Sequence, residues 1–243
     1  MKIFVLTDNK FIHDSFRPLF RTVSAAKVEF FCSPSSEPLF RDEVVCRTVT
    51  PVSLKRDATR FLDYDLGFSC HSKQLFPAAL VQAVRCLNIH PGFNPFNRGW
   101  YPQVFSILNQ LPVGATIHEM DEQIDHGPII CQSEVQVHPW DTSRDVYLRL
   151  LQEEVALFRA WLPRLIAGDY NAVPPAIEGN YNGKDDFAAL CELDPDRVGT
   201  FREFVDQLRA LSHPPFSNAW MTLGGRKVHL RLELEPSDDV HDG

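Results

Sequence analysis

Apolar positions along this chain fall into two alternating rhythms. Ile3 to Leu6, Val28 to Cys32, Asp65 to Cys70 and Cys86 to Ile89 are short, dense runs with the length and composition of buried strands. Between them lie longer segments with helical spacing, such as Ala78 to Val84. Strand alternating with helix predicts a mainly parallel sheet. Thr7-Asp8-Asn9 breaks the first run, and Asp8 or Asn9 is a candidate cap for the helix that follows. Trp100 to Gln110 reads as another helix, and Gly114 to Met120 with Ile129 to Val137 as two adjacent strands. From Thr142 to Ile166, apolar residues at 146, 150, 151, 155, 158, 162 and 165 keep a helical period, opened by Asp141 or Thr142. That helix is expected to close the main domain, and the charged run from Arg144 to Glu154 reads as its solvated face.

After Gly168 the pattern breaks into Asn171-Ala172-Val173-Pro174-Pro175, which places a boundary near residue 170. The expected organisation is a Rossmann-like α/β domain over 1–170 and a small C-terminal region over 171–243. In the latter, Thr200 to Leu211 reads as an amphipathic helix. Ala219 to Leu223 and Arg226 to Leu234, joined by Gly224-Gly225, read as a β-hairpin. The acidic tail from Pro236 to Gly243 is expected to fray.

A formal net charge of -8 on 243 residues speaks against nucleic acid as a partner, because phosphate recognition needs clustered Lys and Arg. No run is long and apolar enough for a signal h-region or a membrane span, so no membrane association is expected. The six cysteines lack C-x-x-C spacing, and four of them fall in apolar, strand-like runs, which fits a reducing, cytoplasmic setting. Gly-x-Gly-x-x-Gly and P-loop patterns are absent. His118, His126 and His138 lack the pairing of a zinc site, and no metal is expected.

Asn88 and His90 stand two apart at a predicted strand end, so their side chains share one side of the sheet. The loop Pro91-Gly92-Phe93-Asn94-Pro95 cannot continue the strand. Asp125-His126-Gly127 follows on a later loop. An amide, an imidazole and a carboxylate are the groups that acyl transfer to an amine requires: a stabiliser of oxyanion charge, a proton carrier and a group that fixes that carrier.

These residues resemble the 10-formyltetrahydrofolate-dependent formyltransferase family. The likeness covers roughly residues 65 to 166 and rests on Asn88-x-His90, a loop closed by Gly99, and Gly114, Thr116, Met120, Asp121, Asp125 and Gly127. It implies the formyltransferase fold, with Asn88 holding the formyl oxygen, His90 moving the proton and Asp125 orienting the imidazole. It further implies a cofactor slot near Phe68, Ser69, Asp121, Ile124 and Asp125, with 10-formyltetrahydrofolate as formyl donor. The loop Gly92 to Trp100 is similar to the version in formyltransferases that act on dTDP-linked amino sugars, as are the segments Tyr181 to Phe187 and Leu208 to Trp220.

By that resemblance the substrate is a dTDP-amino sugar, dTDP-4-amino-4,6-dideoxyglucose first and a 3-amino sugar next, with a role in O-antigen or related surface polysaccharide. Substrate contacts are expected among Asn9, Lys10, Lys73, Asn94, Arg98, Tyr181, Lys184, Phe216 and Trp220, and a homodimer through the terminal hairpin. A formyltetrahydrofolate hydrolase is the rival reaction, although its family carries an extra amino-terminal domain where this chain opens directly on the catalytic pattern. A non-catalytic binder of folate or nucleotide sugar is the other alternative.

Overall fold

The computed structural model describes residues 1–23 and 26–237; the end of the acidic tail, from 238 onward, lies outside the described residues. The first half runs β1 (Lys2–Thr7), α1 (Lys10–Phe20), β2 (Lys27–Cys32), α2 (Arg41–Val45), β3 (Val49–Pro51), α3 (Leu54–Asp57), β4 (Leu66–Cys70) and α4 (Ala78–Ala83). Then follow β5 (Arg85–His90), β6 (Arg98–Gly99), α5 (Pro102–Asn109), β7 (Val113–Glu119), β8 (Ile129–Val135) and α6 (Ser143–Ala167). The C-terminal part comprises β9 (Tyr181–Asn182), α7 (Lys184–Cys191), α8 (Phe201–Leu211), β10 (Ser212–His213), β11 (Phe216–Ser217), β12 (Trp220–Leu223) and β13 (Arg226–His229).

Seven strands form one sheet in the order β3-β2-β1-β4-β5-β7-β8. The first five are parallel, whereas β7 runs antiparallel to both β5 and β8. Both faces are buried. Along β1, Ile3 and Val5 pack on one side with Phe16, Phe20 and Phe158, while Phe4 and Leu6 pack on the other with Phe31, Phe61 and Leu80. This accounts for strands that read as continuous apolar runs rather than alternating ones.

Asn9 caps α1 by accepting from the Ile12 amide, and a Thr142–Asp145 capping box opens α6. Gly168, at φ +71°, ends α6 in the left-handed conformation that glycine adopts without a Cβ penalty. The expected C-terminal hairpin forms through Gly224 and Gly225, both at positive φ, but its second strand stops at His229 rather than Leu234. Beyond that point the Leu232 amide donates to the Ser212 hydroxyl. α8 lies against α5 and α6, with Ala210 in one apolar cluster with Val104, Ile107, Val146 and Leu150.

Candidate active site

In an open α/β sheet the crevice outside the strands' carboxyl ends, where the order switches direction, is the place for a ligand. Here the switch lies between β1 and β4, and a cavity of about 580 Å³ opens there. Asn9 after β1, Ser69 and His71 at the end of β4, and Asn88 and His90 at the end of β5 all line it. Residues 120–125, in the loop after β7, supply another part of the wall.

The three groups expected for acyl transfer converge in this cavity. Asn88 Nδ2 donates to Asp125 Oδ1 at 2.8 Å, and His90 Nδ1 lies 3.6 Å from the same oxygen. The Gly99 amide donates to Asp125 Oδ2, and Asn94 Nδ2 donates to the Asp125 carbonyl. These bonds hold Asp125 at φ +51°, an uncommon conformation for a residue other than glycine. Burial pushes the Asp125 carboxyl up, but the adjacent His90, His118 and the Gly99 amide outweigh it and bring the group down to about 2. Burial holds His90 below the usual imidazole range, against the opposing pull of Asp125. At neutral pH the pair is therefore an ionised carboxylate beside a neutral base.

The loop after β5 is tied down from β7. Thr116 Oγ1 donates to the Gly92 carbonyl at 2.6 Å and accepts from the Asn94 amide at 3.1 Å. A Cβ on Gly92 would lie 2.3 Å from His90 Nε2, so only glycine leaves that nitrogen its space. A Cβ on Gly114 would meet the Ser133 carbonyl at 2.1 Å, and one on Gly127 the Glu119 carbonyl at 1.9 Å. These motif glycines thus allow the backbones around the site to approach closely.

His118 stands directly across from Asn88 in the β5–β7 pair. Its Nδ1 donates to the Glu119 carbonyl, which leaves Nε2 as an acceptor for Asn88 Nδ2 at 3.2 Å. Both amide hydrogens of Asn88 are thus engaged. The sequence marked His118 as a strand histidine and gave no sign of this contact, because cross-strand register is set by tertiary pairing.

Ser69, Asp121 and Ile124 line the cavity, as expected of a cofactor slot. Phe68 does not: it is fully buried on the helix side of the sheet, packed against Phe20 and Phe158. Successive residues of a strand face opposite sides, so Ser69 meets the cavity and Phe68 the core. Asn9 and Lys73 line the cavity, whereas the Lys10 ammonium is drawn along α1 to Asp14 at 2.6 Å and to Glu43 at 3.0 Å. Asn94 and Arg98 are buried beneath the wall, the first on Asp125 and the second on Glu178 at 2.8 Å. Lys184 reaches the wall indirectly, its Nζ 4.0 Å from the ring centre of Trp100, which lines the cavity. Tyr181 packs over Gly99, while Phe216 and Trp220 lie in the C-terminal part, outside the cavity lining.

The charged run along α6 holds a correction. Glu154, expected on a solvated face, is fully buried, with His71 Nε2 at 2.7 and 3.0 Å from its two oxygens. A neighbouring imidazole makes that burial possible.

Fold and site define an acyl-transfer enzyme of the α/β class. Residues 60–162 match the family described as formyl transferase, and residues 186–236 match the N-formyltransferase dimerization C-terminal domain. The chain is 53% identical over 174 residues to the dTDP-4-amino-4,6-dideoxyglucose formyltransferase of Mycobacterium tuberculosis, covering 71% of this chain and 74% of that protein. Its structure superimposes on a 4-N formyltransferase from Francisella tularensis with a TM-score of 0.95 and 47% identity, over 97% of this chain and 98% of the other. A sugar N-formyltransferase from a Shewanella species follows at TM-score 0.93 and 40% identity, over 98% and 99%. The chain belongs to the formyl transferase family and is a formyltransferase.

Proposed function

We propose that this protein moves the formyl group of 10-formyltetrahydrofolate to the amine of a dTDP-linked amino-dideoxy sugar, dTDP-4-amino-4,6-dideoxyglucose before a 3-amino sugar. The observation that carries this reading is the meeting of Asn88, His90 and Asp125 in one cavity, in a chain so similar to enzymes named for that sugar class. The cavity volume falls in the range of small-molecule sites. Ser69, Asp121 and Ile124, with apolar Met120 beside them, would hold the folate.

The bound folate supplies the activated formyl group. His90 is neutral and accepts the proton released as the sugar amine attacks the formyl carbon, then returns it to the leaving nitrogen of tetrahydrofolate as the bond between that nitrogen and the formyl carbon breaks. Asp125, already ionised, stabilises the imidazolium that results. Among the described residues His90 Nε2 is buried against Gly92 without a hydrogen-bond partner, and it is the nitrogen left for the reacting groups. Asn88 stays anchored to Asp125 and turns its longer, 3.2 Å bond away from His118 toward the formyl oxygen, where negative charge develops.

The free cysteines fit work in a reducing cytoplasm: Cys32, Cys70, Cys86 and Cys131 are buried, and burial raises their thiols. The division into a catalytic unit over 1–170 and a small C-terminal region, assembly as a homodimer through that region, and a role in O-antigen or related surface polysaccharide belong to the same reading. Incubation with 10-formyltetrahydrofolate and a panel of dTDP- and UDP-linked 3- and 4-amino sugars, read by sugar mass, tests it. A gain of one formyl group on the dTDP-4-amino sugar is the expected result. No formylated sugar in the panel would overturn it.

A further inference from the structure

Part of the cavity wall is built on a buried carboxylate that the acyl-transfer groups do not use. Glu154 sits within α6 with no exposure, and both of its oxygens face His71 Nε2. Among the described residues its side chain has no other hydrogen-bond partner. His71, at the end of β4, lines the cavity and is held at φ +55°, a conformation that costs a residue other than glycine on the order of 1 kcal/mol. Seven residues earlier on the same face of α6, Tyr147 also lines the cavity; its hydroxyl accepts from Asn9 Nδ2 at 2.9 Å, and its ring centre lies 6.3 Å from that of His71.

The proton count of the pair fixes what His71 offers a ligand. Asp125 accepts from Asn88 and the Gly99 amide, whereas Glu154 has His71 alone among the described residues and burial raises its carboxyl, so an ionised Glu154 beside a neutral imidazole is disfavoured. The pair avoids that state in two ways: an imidazolium beside an ionised Glu154, or a neutral imidazole accepting at Nε2 from a protonated Glu154. In both, Nδ1 carries hydrogen. That atom makes no hydrogen bond among the described residues and is not sealed from the cavity.

We propose that His71, with its proton arrangement set by Glu154, donates from Nδ1 to a diphosphate oxygen of the sugar nucleotide. The assignment rests on the nucleotide-sugar reading above. Two features of the same loop point to an acceptor-only anion. Lys73 lines the cavity with its ammonium 3.2 Å from the Ser36 hydroxyl, and no ion pair among the described residues includes it. Its backbone amide is already used by Asp8, at 2.6 Å, which fixes the loop to the end of β1. A ring N–H donor and an ammonium without a carboxylate partner among the described residues, on one fixed loop, match diphosphate better than a hydroxyl, which needs an acceptor as well. Glu154 acts through His71 and is a positioning residue.

The test compares binding of thymidine diphosphate with binding of thymidine, which has no diphosphate, in wild type, His71→Gln and Glu154→Leu, using folinic acid affinity to report an intact fold. Each variant is expected to lose about tenfold or more in thymidine diphosphate affinity while thymidine and folinic acid are held within about twofold. In turnover the loss appears as a raised KM for the sugar nucleotide with kcat little changed. Equal losses for thymidine diphosphate and thymidine, or none, would overturn the assignment while the nucleotide-sugar reading stands. A wild-type protein that fails to bind thymidine diphosphate would overturn both. If Glu154→Leu alone fails to fold, His71→Gln, which retains a donor for the carboxylate, decides the matter.

Discussion

Asn88 donates to Asp125 across 2.8 Å, and that bond joins the end of β5 to a loop 37 residues further along the chain. It places an ionised carboxylate against the base His90. Replacing Asp125 by Asn keeps the shape and removes the charge. kcat/KM for formyl transfer is expected to fall by about 10²–10⁴, with tetrahydrofolate release as the assay. A loss below threefold would count against the role given to the carboxylate.

The pH profile follows from the same pair. Burial depresses His90, so the rate should rise with pH about a midpoint below the 6.5 of an unperturbed imidazole. Asp125 stays ionised through that range and adds no limb. Its lowered value also bears on stability. The folded state holds the carboxylate at about 2 against an ordinary 3.8, a contribution of about 2 kcal/mol that is fully present above pH 4 and is lost as pH falls toward 2. Denaturant melts of wild type and Asp125→Asn between pH 2 and 6 should show that loss in the wild type alone.

Gly92→Ala tests the space over His90. The added carbon would lie 2.3 Å from Nε2, so the ring or the loop must move. Formyl transfer should fall by about 10²-fold, the effect that small misplacements at a reacting centre produce, while circular dichroism remains that of the folded chain. Full activity would show that Nε2 is not the working nitrogen.

Phe68→Leu separates core from slot. Phe68 packs on Phe20 and Phe158, so the change should cost on the order of 1 kcal/mol of stability. The KM for 10-formyltetrahydrofolate should not move. A selective rise in that KM with unchanged stability would place Phe68 in the folate site after all.

The catalytic groups were legible because strand ends and loop breakers leave local signals: Asn88 and His90 close a short apolar run, and Pro91 and Gly92 stop it. Glu154 was not. A glutamate inside a charged stretch of helix looks solvated, and only the arrival of His71 from the end of β4 makes its burial tolerable. Lys10 misled for the opposite reason, since a partner four residues along its own helix, Asp14, competes with any ligand. The direction of β7 was equally hidden, because an apolar run reads the same parallel or antiparallel.

The most direct measurement is tetrahydrofolate release from 10-formyltetrahydrofolate with and without dTDP-4-amino-4,6-dideoxyglucose. Release that depends on the sugar, matched one for one by formylated sugar and abolished in His90→Asn, is the predicted result. Release at the same rate without sugar would mark a hydrolase, and no release at all a binding protein; either would contradict acyl transfer by Asn88, His90 and Asp125.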